Sequence, residues 1–150
     1  MPKHIEQQFS PYSPQQLFDL VADVEKYPQF LPWCRAARII KREEGEFLAE
    51  LVISFANLSE SYSSRVVLTP PKEGERGEIS VVMVKGPFEH LTNSWKFTNA
   101  DDGVTQIDFM LDFKFRSRIL EKIMGSLFSK ATAKMVTAFK HRADALYGKR

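Results

Sequence analysis

A chain of 150 residues with 43% hydrophobic content suits one domain around one core. No apolar run approaches the ~18 residues of a membrane span, and the N-terminus has neither a signal-peptide core nor an Arg/Ser-rich transit sequence, which predicts a cytosolic chain. The net charge is only +2, and the one cysteine, Cys34, excludes an internal disulfide and argues against a cysteine-built zinc site, so it reads as a small buried hydrophobe.

Lys3 to Ser10 is a short polar strand with Ile5 and Phe9 on alternate positions, expected at a sheet edge, and Pro11 ends it. Ser13-Pro14-Gln15-Gln16 supplies an N-cap, a proline at the first helical position and a glutamine three residues after the cap, which is a capping box. The helix it opens puts Leu17, Phe18, Leu20, Val21 and Val24 on one face and must stop before Pro28. Tyr27 to Cys34 holds four large apolar residues between two prolines. Two readings stay open there, a structural plug and a lid over an apolar cavity.

From Arg35 the hydrophobic period becomes two. Strands are predicted at Arg38–Glu43 and Phe47–Phe55, joined at Glu44-Gly45. A turn over Asn57–Ser61, a strand Tyr62–Thr69, an exposed loop from Pro70 to Gly77 and a strand Glu78–Lys85 follow. Gly86-Pro87 turns into Phe88–Thr98, and Asp101-Asp102-Gly103 into a last strand on which Ile107, Phe109, Leu111, Phe113 and Phe115 share a face. Hairpin-length links require a mostly antiparallel sheet, and about seven twisted strands curl.

Ser117 to Tyr147 reads as one long helix, capped by Ser117 and stopped at Gly148, with Leu120, Met124, Leu127, Phe128, Ala131, Met135, Ala138, Phe139 and Leu146 on its apolar stripe. At about 1.5 Å per residue it would extend roughly 45 Å and fill the concave side of the sheet. The architecture is therefore α+β, a helix grip: a curved antiparallel sheet around a long C-terminal helix, with one or two short helices after the first strand. Charge is divided along the chain. Residues 1–113 carry 11 Lys/Arg against 17 Asp/Glu, or −6, and residues 114–150 carry 10 against 2, or +8. A basic terminal element on an acidic body can orient the molecule on an anionic membrane or on RNA, or simply complement its own acidic remainder.

Chemistry is sparse. His4, His90 and His141 lie on separate elements without metal-ligand spacing, and the phosphate-binding and nucleophile motifs are absent. Candidates for acid or base work reduce to Glu60, Tyr62, His90 and Asn93. Arg142 falls on the apolar side of the last helix, placed to pair with a carboxylate at one end of the grip or to bond a ligand head.

Three segments carry a family resemblance. Val21 to Cys34 (Val-Ala-Asp-Val-Glu-Lys-Tyr-Pro-Gln-Phe-Leu-Pro-Trp-Cys), Gly86 to Phe97 (Gly-Pro-Phe-Glu-His-Leu-Thr-Asn-Ser-Trp-Lys-Phe), and Met135 to Gly148 with Ala138-Phe139, Arg142-Ala143 and Leu146-Tyr147-Gly148 are similar to coenzyme Q–binding proteins of the START-like superfamily, which includes polyketide cyclases. The resemblance implies a START/Bet v 1-like helix grip, an apolar tunnel between sheet and helix, and binding or delivery of ubiquinone for respiration and quinone synthesis. It implies no catalysis, no cofactor beyond ubiquinone as bound ligand, and no DNA partner. A bacterial branch of the family comprises toxins that block association of the ribosomal subunits, which makes the ribosome the alternative partner; a cyclase-like enzyme is the third reading.

A polyprenyl tail gains about 0.8 kcal/mol per buried CH₂, so a carrier needs a comparable apolar lining. Phe47, Leu51, Phe55, Trp95, Phe97, Phe109, Phe113, Met124, Leu127 and Phe128 are expected to supply it. Tyr27, Phe30, Leu31 and Trp33 are expected to gate entry, and Lys114, Arg116, Arg118 and Lys122 to hold the mouth against anionic lipid. This places the protein in the bacterial cytoplasm, peripheral to the inner membrane.

Overall fold

The computed structural model describes residues 3–55, 58–72 and 76–148. Seven strands, β1 (Lys3–Ser10), β2 (Cys34–Glu43), β3 (Glu46–Phe55), β4 (Leu58–Thr69), β5 (Gly77–Lys85), β6 (Phe88–Asp101) and β7 (Val104–Phe115), form one sheet in the order β1-β7-β6-β5-β4-β3-β2. All neighbours run antiparallel, and β1 closes onto β7, so that β1 and β2 are the edges. Period-two patterning is clearest in β7, where every second residue from Thr105 to Phe115 is buried against the helices. Gly45 and Gly103 take the left-handed conformation (φ +77° and +75°) that their tight hairpin turns require.

Helix α1 (Pro14–Ala22) starts at the expected capping box: Ser13 Oγ accepts from the Gln16 amide at 3.1 Å, and Gln16 Oε1 accepts from the Ser13 amide at 3.0 Å. Its face Leu17, Phe18, Leu20 and Val21 is buried, together with Val24 just beyond its end. The chain then re-enters a 3₁₀ helix, Val24–Gln29, which runs through Pro28. Short 3₁₀ pieces make few of the amide bonds that proline forfeits, so the ring that ends α-helical geometry is accommodated.

The long C-terminal helix is two helices, α2 (Arg118–Ala133) and α3 (Met135–Tyr147), broken at Lys134. Thr132 Oγ1 donates to the Phe128 carbonyl at 2.9 Å inside the core, back-bonding that bends helices. The Lys134 amide then bonds the Ala131 carbonyl, three residues back, and the four-residue pattern resumes with the Ala138 amide on the Lys134 carbonyl. The break changes which side of α3 meets the sheet. Val136, Phe139 and Ala143 are buried, whereas Leu146, expected on the stripe, is 49% exposed. Ser117 caps α2 as expected, its Oγ accepting from the Ile119 and Leu120 amides.

Two strand starts differ from expectation by more than one residue, and β6 runs past Thr98 to Asp101. β4 begins at Leu58, so Leu58–Ser61 extend a strand instead of forming a turn, because they continue the β3 pairing from Val52↔Ser61 out to Phe55↔Leu58; Asn57 lies outside the described residues. β2 starts at Cys34, earlier than Arg38, and reaches its register with β3 through irregularities at Cys34/Ala36 and Ile39/Lys41. Among the described residues no helix is long and apolar enough to cross a membrane.

Candidate functional site

The helices pack into the concave face through two aromatic clusters. Phe139 of α3 meets Trp95, Phe30 and Tyr27 edge-on at ring distances of 4.9, 5.0 and 5.2 Å. Phe128 of α2 meets Phe113 at 4.6 Å, Phe88 at 5.3 Å, Phe115 at 5.8 Å and Phe55 at 6.1 Å. Edge-to-face geometry sets the positive rim of one ring against the negative face of the next. Both Phe128 and Phe139 also line a cavity of ≈ 90 Å³. One water needs only ~10–15 Å³ of such space, so the helices do not fill the concavity.

Of the residues expected to form the ligand site, Tyr27, Leu31, Trp33, Leu51, Trp95, Phe109 and Phe128 line this cavity. Phe30, Phe97, Phe113 and Phe55 stand one layer back, in ring contact with Phe139, Trp95 and Phe128. Phe47 is buried beneath the Arg42 guanidinium, 5.4 Å from its ring centre. Met124 is fully buried, and Leu127 is half-buried on α2. Much of the remaining wall is small aliphatic sheet residues, among them Ala49, Ile53, Val66, Ile79, Val81 and Leu111, together with Met135 of α3. Strand alternation marks these as inward, but it does not distinguish cavity wall from solid core.

The polar groups at the wall are few. Tyr62, Ser64, Asn93 and Cys34 reach it, and among the described residues none of the lining side chains is Asp, Glu, Lys, Arg or His. Burial pushes the phenols of Tyr27 and Tyr62 upward, so both keep their protons. The Tyr27 hydroxyl donates to the Val21 carbonyl, tying the 3₁₀ segment to α1. Burial also pushes the Cys34 thiol up to about 11. Asn93 Nδ2 donates to the Met110 carbonyl at 2.7 Å. The other acid–base candidates lie elsewhere: His90 faces Asp112 at 3.3 Å on the outer side of the sheet, and Glu60 lines a separate, more open pocket with Tyr62, Pro87, Arg116 and Leu120. Arg142 bonds Gln29 Oε1 at 2.7 Å and lies 5.1 Å from the centre of the Phe30 ring, so it clasps the 3₁₀ segment instead of pairing with a carboxylate.

The basic residues separate into two groups. Lys114 pairs with Glu89 at 3.5 Å, and Arg116 donates to the Phe88 carbonyl at 3.1 Å. Arg118, Lys122 and Lys130 lie on α2 and Lys134 at its C-terminal cap, all exposed and without an ion pair among the described residues. Ile119 (70% exposed) and Ile123 (45%) lie beside the first two.

Residues 10–140 match the family model described as polyketide cyclase / dehydrase and lipid transport. The chain is 49% identical over 133 residues to a protein named ribosome association toxin RatA from Rickettsia prowazekii, covering 89% of this chain and 90% of that one. It is 30% identical over 142 residues to the mitochondrial coenzyme Q-binding protein COQ10 homolog B of Xenopus laevis, covering 92% of this chain and 56% of that one. Among solved structures it superposes on the ZhuI aromatase/cyclase of Streptomyces sp. R1128 (TM-score 0.80, 16% identity, 95% of this chain and 93% of that one). A START superfamily protein from Mycobacterium smegmatis matches with TM-score 0.73 and 18% identity, covering 96% of this chain and 98% of that one. A curved seven-stranded antiparallel sheet gripping C-terminal helices, matched by the family model over most of its length, makes this chain a member of the polyketide cyclase / dehydrase and lipid transport family.

Proposed function

We propose that this protein is a ribosome-directed factor that hinders association of the ribosomal subunits, with the exposed basic residues of α2 and its C-terminal cap as its contact surface. The observation that carries the reading is the 49% identity over nine-tenths of the chain to a relative named for ribosome association. Arg118, Lys122, Lys130 and Lys134 suit an RNA phosphate backbone, since unpaired basic side chains release counterions when they meet phosphate. A binding role without turnover is supported by the cavity wall, which among the described residues offers no carboxylate, imidazole or amine for proton transfer. Controlled overexpression in a bacterial host tests this. Growth arrest with free subunits accumulating at the expense of whole ribosomes is expected, and unchanged growth with an unchanged ribosome profile contradicts the reading.

The cavity favours a second reading, carriage of ubiquinone or a related polyprenyl lipid. Its apolar wall and the 30% identity to a coenzyme Q-binding protein support it. In that case Arg118 and Lys122, with Ile119 and Ile123, would rest against the anionic face of the inner membrane from the cytoplasm. Organic extraction of the purified protein followed by mass spectrometry is expected to release such a lipid, and protein that never carries one refutes this reading.

A further inference from the structure

Ser64 is the cavity residue whose chemistry the fold leaves unused. It is 2% exposed, and its Oγ is buried with no hydrogen-bond partner among the described residues. It lines the cavity between Ala49, its partner on β3, and Met83, its partner on β5. The local backbone is irregular at this point: Ser63 faces Lys85 and Ser64 faces Met83, so Val84 is an extra residue opposite that step. Bulges of this kind re-aim side chains and recur beside functional sites. A buried hydroxyl without a partner is destabilising, and a native fold that retains one calls for an explanation.

The surroundings narrow what would satisfy it. Tyr62 precedes Ser64 by two residues on the same strand face and keeps its phenolic proton because burial disfavours the phenolate. Asn93 lies across β5, opposite Val81, with Nδ2 committed to the Met110 carbonyl and Oδ1 left as an acceptor. The rings of Trp95, Phe109, Phe128 and Phe139 form flat walls. With no charged side chain lining the cavity among the described residues, an ionic guest would lose its hydration without gaining a counter-ion.

We propose that the cavity binds an uncharged ring compound whose carbonyl or hydroxyl oxygen hydrogen-bonds to Ser64 Oγ, with Tyr62 and Asn93 as flanking polar partners. The inference rests on the lipid reading and deepens it by naming the head-group subsite. Both tryptophans of the chain, Trp33 and Trp95, line the cavity, so intrinsic fluorescence reports its occupancy. Duroquinone titrated into the full chain is expected to quench that fluorescence saturably. Durene has the same six-carbon ring skeleton and four methyl groups without the oxygens, and is expected to compete about tenfold more weakly, the worth of one net hydrogen bond. The anion 2,4,6-trimethylbenzoate is expected not to compete.

Ser64→Ala is expected to weaken duroquinone about tenfold and leave durene unchanged. It should also leave the melting temperature of the unliganded protein equal or higher, because an unpaired hydroxyl has gone. Duroquinone binding that is indifferent to Ser64→Ala overturns the proposal while the lipid reading stands, and so does competition by trimethylbenzoate at the level of duroquinone. The wild-type comparison decides independently of any variant: durene binding as tightly as duroquinone overturns the subsite. If neither ring compound binds, the subsite fails; only an empty organic extract removes the lipid reading as well.

Discussion

Gly86 shows how a single position in a turn serves the cavity wall. A Cβ there would collide with Tyr62 Cβ and stand 3.1 Å from its Cα. Read in sequence, Gly86-Pro87 is a hairpin signal, but the requirement for glycine comes from a strand 24 residues earlier in the chain. Gly86→Ala is expected to lower stability by about 1–3 kcal/mol through overpacking, measured as a shift in the urea midpoint at unchanged slope. Cys34 gives a pH signature. Its thiol is held up to about 11, against an ordinary value of 9.0. Below pH 9 both folded and unfolded chains keep the proton and the group is neutral for stability. Between about 9 and 11 the unfolded chain releases it while the folded chain does not, so stability falls as pH rises. Cys34→Ala is expected to flatten that part of the stability curve; an unchanged curve would show that the thiol titrates normally.

The elements were legible in proportion to how local their causes are. The α1 capping box depends on Ser13 and Gln16 alone and was read from four consecutive residues. The alternation of β7 likewise reports its own two faces. The break between α2 and α3 could not be read in the same way, because Ala, Lys, Met and Val around it all tolerate a helix. It depends on Thr132 turning inward to bond the Phe128 carbonyl, which only burial against the sheet enforces. After the break Leu146, expected on the apolar stripe, is exposed, and Val136 is buried. The start of β4 at Leu58 is also non-local, since β3 holds it in register. At this scale the clasp of α3 on the 3₁₀ segment is testable. The Leu31 amide bonds the Tyr27 carbonyl and the Cys34 amide bonds the Leu31 carbonyl. Arg142→Ala, which removes the bond to Gln29 and the stack on Phe30, is expected to speed hydrogen exchange at Leu31 and Cys34 about tenfold, with β6 and β7 unchanged. Uniform acceleration across the sheet would mean that Arg142 supports global stability and not the clasp.

Across the whole molecule, the fold class followed from hairpin-length links and one amphipathic terminal segment, while the cavity did not. Volume is what side chains leave over, and the sequence names only the side chains. Of the ten aromatic residues expected at the wall, four stand one layer behind it and Phe47 lies beneath Arg42, with Ala, Val and Ile of the sheet at the wall in their place. The charge division, −6 over residues 1–113 and +8 over residues 114–150, was readable by counting. The structure adds that Lys114 and Arg116 are engaged within the fold, which shifts the available charge toward Arg118, Lys122, Lys130 and Lys134. Four phosphate contacts from those side chains predict that log affinity for ribosomal RNA falls with log salt at a slope of roughly −3. Reversing Lys122 and Lys130 to Glu should remove at least half of that slope.

The most direct test is reassociation of purified small and large ribosomal subunits, followed by light scattering as magnesium is raised, with this protein added in increasing amounts. The account predicts a dose-dependent loss of the whole-ribosome signal that is relieved by the Lys122→Glu/Lys130→Glu variant. Full reassociation at every concentration of the folded wild-type protein would contradict it.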